Sequence, residues 1–367
     1  MDPRVREHAE VIVDDCTNVE AGDEVVISAP AVAEDLTVAL YELVGERGGI
    51  PRASGASRRA HRAYMRAADE DQFELSEVGM AMAETADVAI HVRASANTFE
   101  TSDVDPEKTA TYRKANRPIT EEMMDGRWCL TQYPAPANAQ KAEMSTEAYE
   151  EFVWNAVNKD WEAQREFQEQ LVEILDPASE VRIVSGDGTD LAMSVDGMTA
   201  ENDWGDMNMP AGEVFTAPVP DSVEGVAHFD MPLIAQGREV LDVRLTFEDG
   251  EVVDHSAAKN EELLTSLLNT DEGARRLGEL GIGMNRDIDR FTYNMLFDEK
   301  MGDTVHMAIG RAYEENVGED RDQNESAVHQ DMIVDMSEDS YIEVDGEVVQ
   351  RNGTFRFEDG FEANEGE

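Results

Sequence analysis

Lysine is scarce in this chain: Lys108, Lys114, Lys141, Lys159, Lys259 and Lys300 are the only six, leaving 24 of the 30 basic residues as arginine. Against 81 Asp and Glu they leave a formal net charge of −51. A field of that sign excludes nucleic acid and anionic membranes as partners, since both demand a basic footprint. Cysteine is scarcer still. Cys16 and Cys129 make no CxxC pair and no disulfide framework, which fits a reducing, cytoplasmic setting. No apolar run approaches the roughly 18 residues of a membrane span, and the opening MDPRVREHAEVIVDD has no apolar signal region. GxGxxG after a strand, GxxxxGK[ST], GxSxG and HExxH are all missing, which removes the usual support for nucleotide-binding, serine-hydrolase and zincin chemistry.

The acids are spread along the whole chain between apolar runs, and 41% of the residues are hydrophobic. The charge therefore belongs to the surface of a folded body rather than to a disordered tail. Abundant acid with little lysine is the composition of proteins from salt-saturated cytoplasm. Repulsion among so many carboxylates is tolerable where screening is short-ranged, about 3 Å at 1 M salt. The one basic cluster, Arg58, Arg59, Arg62 and Arg66, reads as a solvated helix face or a subunit contact.

At 367 residues the chain has room for two domains. Residues 1–176 alternate helix and strand signals. An amphipathic stretch from Val5 to Val13 precedes EVVISAP, a helix from Ala33 to Glu46 stops at Gly48-Gly49, and strands follow at Val88 to Val92 and in RWCLTQYP. This alternation predicts an α/β domain with a mostly parallel sheet covered by helices. Ser145 to Asp176 reads as long helical material opened by a Ser145 cap. Residues 177–367 then change to hairpins, turning at Gly186-Asp187-Gly188, Asp249-Gly250 and Asp345-Gly346, with one helical block from Asn260 to Leu280. They predict an α+β domain with antiparallel strands. SGDGTD is read as a hairpin turn rather than a calcium or phosphate loop, and EDGFEANEGE as a mobile tail.

Histidine is also sparse, at seven residues, and imidazole is the commonest ligand for zinc-like metals. His329 and Asp331 lie two apart in AVHQDMIVDM, so on a strand they share a face and can converge on one ion. The spacing alone singles out nothing in so acidic a chain, because His228-Asp230 and His8-Glu10 repeat it. About twenty residues upstream, Glu299, His306 and Tyr313 sit in an apolar frame of Met295, Leu296, Phe297, Val305, Ala308 and Ile309. Charged groups in such a frame need partners or a metal. Glu213 falls in a short β-like run closed by Pro218, and Glu279 in LGELGIGMN is placed at a helix end.

QYPAPANAQKAEMS, GDGTDL, MPAGEVFTAP, LGELG, LFDEK with HMAIGRAY, and SAVHQDMI occur in that order. With them the chain is similar, over nearly its whole length, to the aminopeptidase T, aminopeptidase S and aminopeptidase II family of metallopeptidases. The resemblance implies that Glu213, Glu279, Glu299, His306, His329 and Asp331 bind metal and that Tyr313 is catalytic near the scissile carbonyl. It implies two divalent ions (Zn, Co, Mn or Mg) sharing a carboxylate and activating a water, with Glu279 passing a proton to the leaving amine. It further implies short peptide substrates and an α/β domain that encloses the site and forms a homodimer. Many members carry Trp where Gln330 stands here and Asn where this chain has Lys300. Two other readings of the same ligands are a non-catalytic metal-binding protein and a metal-dependent hydrolase of non-peptide amides.

Overall fold

The computed structural model describes residues 2–55, 57–235, 237–318 and 321–363. It divides into two compact units, Met1–Lys159 with Gly205–Pro210, and Asp160–Trp204 with Ala211–Glu367. The first unit holds a wholly parallel five-stranded sheet in the order Ile50–Ser54, Glu24–Ser28, Val88–Arg93, Arg127–Gln132, Asn208–Met209. Val25, Val26, Ile27, Val88, Ala89 and Ile90 are buried on it, as the helix–strand alternation predicts. The helix Glu34–Arg47 stops where Gly48 takes φ 82°, a left-handed position that favours glycine. The Arg58–Ala67 helix carries the arginine cluster. Arg62 and Arg66 both pair with Asp103, and Arg58 donates to Ser95 Oγ.

Two features of the division into units depart from the sequence reading. The helical stretch from Ser145 to Asp176 is two helices, Thr146–Val157 and Trp161–Leu175, each with its own cap. Ser145 Oγ accepts from Ala148 N–H and Asp160 Oδ1 from Ala163 N–H. The units accordingly separate after Lys159 rather than after Asp176. The second helix belongs to the later unit because Leu171, Val172 and Leu175 join its core. Its buried Gln168 also donates to the carbonyls of Asp203 and Glu213, at 2.9 Å each. The other departure is the return of residues 205–210 to the first unit, where they add the last parallel strand.

The second unit contains an eight-stranded sheet, a two-stranded ribbon and a five-stranded sheet, all antiparallel in the pairings they make. The three predicted hairpins are present: 180–185 with 189–194, 243–248 with 251–256, and 340–344 with 347–351. The five-stranded sheet runs His329–Asp335, Thr304–Gly310, Leu277–Gly283, Glu213–Thr216, Glu201–Asp203. Its alternate residues Val214, Leu280, Ile282, Val305, Met307, Ile309, Met332 and Val334 enter one apolar core with Ile183, Leu191, Phe229 and Phe247 of the larger sheet. The period of two leaves the opposite face for other side chains.

The helical block expected from Asn260 to Leu280 is shorter. Helix Glu261–Leu268 and a single turn at Gly273–Arg275 precede a strand from Leu277, so Glu279 stands on a strand and not at a helix end. Of the expected tail, Glu358 is tied down by Arg286, at 2.5 Å and 2.7 Å, and residues 364–367 lie outside the described residues. Among the described residues no helix is long and apolar enough to cross a membrane.

Candidate metal centre

The face of the five-stranded sheet turned away from the apolar core carries the acid and imidazole groups. Strand register explains their convergence: His306 pairs with Gly281, Glu213 with Gly283, Asp331 with Ala308 and His329 with Gly310. Each ligating type of side chain is thus opposed by glycine or alanine, which leaves space above the sheet for the longer groups. Gly281 shows how tight the fit is. A Cβ there would lie 2.0 Å from Cε1 and Nε2 of His306, so the imidazole lies directly across a bare backbone.

Two triads result, with donor atoms in each lying within 4.8 Å of one another: Glu213, Glu279 and His306, and Glu279, His329 and Asp331. Glu279 belongs to both. Its Oε1 is 3.1 Å from His306 Nε2 and its Oε2 3.2 Å from His329 Nε2. His306 Nε2 is also 3.3 Å from Glu213 Oε2, and His329 Nε2 is 3.5 Å from Asp331 Oδ1. The inner triad is closed: Glu213, Glu279 and His306 are 6%, 5% and 1% exposed. The outer one is open, with side chains of His329 and Asp331 24% and 14% exposed. His329 Nδ1 donates to the Arg311 carbonyl at 2.8 Å, a second bond that turns Nε2 towards the carboxylates.

The donor set fits divalent metal. Glu213 Oε2 and Glu279 Oε2 are buried and accept no hydrogen bond among the described residues, an expensive arrangement unless a cation takes the lone pairs. Burial works against charge on Glu279, but the two imidazoles outweigh it and hold the carboxyl well below its usual range. Burial likewise opposes the charged form of His306 and His329, and the surrounding carboxylates reverse this, raising them to about 9 and about 11. Both rings therefore hold a proton firmly when no ion competes for it.

Tyr313 lies on the open side. Its hydroxyl is 3.3 Å from His329 Nε2, and its ring packs on His329 and edge-on to Phe215. Enclosure of the hydroxyl and the nearby carboxylates of Glu279 and Asp331 push its ionisation upward, so it remains a donor at neutral pH. Glu299 joins neither triad. Its carboxylate turns to Lys300 Nζ, 2.5 Å away, and burial first, then Glu213 and Asp331, hold it above the usual carboxylate range. Of the sequence-selected residues, the structure brings Glu213, Glu279, His306, His329, Asp331 and Tyr313 together and sets Glu299 beside them. His228 is elsewhere, 3.7 Å from Asp242. Three neighbours went unremarked in the sequence: Asp203, Gln168 and the bare Gly281. Only the glycine left a signal, as the second of three in LGELGIG.

The arrangement can be set beside known proteins. "Aminopeptidase 2" of Geobacillus stearothermophilus is 28% identical, over 96% of this chain and 97% of its own. "Aminopeptidase T" of Thermus thermophilus is 29% identical, over 90% and 91%. The solved structure of wild-type AmpT from Thermus thermophilus superposes with a TM-score of 0.85 at 26% identity, covering 96% of this chain and 99% of that one. The 2,5-dihydroxypyridine dioxygenase of Pseudomonas putida KT2440 shares the fold alone, with a TM-score of 0.62 at 14% identity. Residues 1–355 match the family described as thermophilic metalloprotease (M29), a span that takes in every residue of both triads, and the chain belongs to that family.

Proposed function

We infer that the two triads hold two divalent ions with Glu279 shared between them, and that the chain is a metal-dependent aminopeptidase acting on short peptides. The observation that carries the reading is the membership of one buried carboxylate in both donor sets. When bound, such ions polarise a carbonyl and bring the ionisation of water near neutrality. Glu213 and His306 complete the inner half, and His329 and Asp331 the outer half. The Tyr313 hydroxyl, beside His329 at the outer triad, is placed to donate to a developing oxyanion. The two Glu279 oxygens face the imidazoles of different triads, which supports a shared ligand rather than the proton-passing role that the resemblance suggested.

The test uses free dipeptides and aminoacyl-p-nitroanilides in concentrated KCl, after chelation and resupply of Zn²⁺, Co²⁺, Mn²⁺ or Mg²⁺. Metal-dependent release of the N-terminal residue is expected. Ion binding with no release would make the chain a metal-binding protein, and release only from other amides would make it a different hydrolase.

We also propose a cytoplasmic, salt-adapted homodimer. The charge of −51 and the scarcity of lysine support salt adaptation, and two buried, unbridged cysteines support a reducing setting. The pairing into dimers rests on the family resemblance. Melting midpoints should rise steeply along a KCl series, and a flat series would remove the salt-adapted reading.

A further inference from the structure

Lys300 is the only lysine or arginine buried among the described residues, with no exposed surface. It follows the short helix Met295–Asp298. Its N–H donates to the Phe297 carbonyl and its own carbonyl accepts from Asn285, at 3.0 Å and 3.1 Å, so its backbone is fixed at both ends. Its Nζ lies 2.8 Å from Glu213 Oε1, 2.5 Å from Glu299 Oε1 and 3.4 Å from Asp203 Oδ2. Asp203 and Glu213 are direct partners on adjacent antiparallel strands, where like charges repel. Both are buried. The ammonium near both offsets the repulsion, donating to Glu213 Oε1 and lying 3.4 Å from Asp203 Oδ2.

We propose that Lys300 is a positioning residue of the inner triad: it fixes Glu213 by one oxygen, Oε1, and leaves the other, Oε2, turned towards His306 Nε2 to bind metal. The two Glu213 oxygens do face different partners, Lys300 on one side and His306 at 3.3 Å on the other. Lys300 Nζ stands among the carboxyl groups of Asp203, Glu213 and Glu299, on the side of Glu213 away from His306. The inference rests on the two-ion reading, and it assigns to Lys300 an effect on one ion only.

The experiment is a Co²⁺ titration of the chelated protein in concentrated KCl, followed by visible absorption and by calorimetry. Wild type should take up two ions. In Lys300→Met one ion should bind about 10- to 100-fold more weakly, the loss typical when a residue that orients a ligand is removed, while the other is unchanged. Lys300→Gln keeps an amide donor for Glu213 Oε1 and should fall between. His329→Ala removes the outer triad, and adding Lys300→Gln to it should weaken the ion that remains. Unchanged or tighter binding of both ions in the Lys300 variants overturns the proposal. If Lys300→Met fails to fold by circular dichroism, the glutamine variant decides alone by the same criterion. A wild type that binds no Co²⁺, or a single ion, removes the two-ion reading and this inference with it.

Discussion

The two triads share a carboxylate and differ in almost everything else. The inner one is sealed among strands whose seven residues are buried throughout, and Lys300 and Gln168 hold it from behind. The outer one opens to water, and an exposed tyrosine stands over it. A closed set of donors suits retention of an ion, whereas an open set leaves room for water and substrate. Chemistry should therefore depend on both halves, while retention and stability should depend chiefly on the inner one.

The largest effect should come from the residue that belongs to both. Glu279→Gln should lower kcat by at least about 10²-fold, the scale of losing a group that stabilises transition-state charge. Ion content, measured by mass spectrometry after dialysis, should fall at the same time. Full turnover with two ions retained would break the idea of a shared ligand.

Comparing His306→Ala with His329→Ala separates the halves. Loss of the buried ring removes the partner of Glu213 Oε2 and Glu279 Oε1, and removing one partner of a buried charged pair costs about 3–5 kcal/mol. The half-exposed His329 should cost well under that. Both variants should lose activity, but the melting midpoint of the ion-free protein should drop markedly only for His306→Ala. Equal drops would mean that the triads do not differ in enclosure. Gly281→Ala should act in the same direction as His306→Ala and less strongly. Its Cβ must displace the imidazole that lies 2.0 Å away, and overpacking of this kind costs about 1–3 kcal/mol.

What the sequence revealed follows the same division. In the outer half, His329 and Asp331 sit two apart on a strand with a polar face, but two other pairs share that spacing, so it was the ordered run of family motifs that singled them out. In the inner half the same motifs single out Glu213, Glu279 and His306, but not the elements that carry them. Leu277–Gly283 is covered on both faces and rich in glycine, so the strand shows no alternation and Glu279 reads as a helix end. Asp203 is one acid among 81, and its place opposite Glu213 depends on pairing between strands ten residues apart. Lys300 was visible as one of six lysines, yet an ammonium in LFDEKMG reads as surface until the fold closes over it. Three strands of the first unit's parallel sheet are legible, but its two outermost are not: Ile50–Ser54 is an edge strand with mostly exposed or half-buried residues, and Asn208–Met209 is two residues that return from within the second unit's sequence.

The smallest effect should come from the open side. Tyr313→Phe removes a hydroxyl that touches His329 but joins neither triad, and the ring contacts with His329 and Phe215 remain. Ion content and melting midpoint should therefore stay at wild-type values. If the hydroxyl donates to the oxyanion, kcat should fall by about 10- to 10²-fold with KM little changed, since the bond forms only as charge develops on the substrate oxygen. A rise in KM at constant kcat would instead mean that Tyr313 binds the ground state. Unchanged kinetics would leave the outer triad without its donor, and openness alone would then be all that distinguishes it from the inner one.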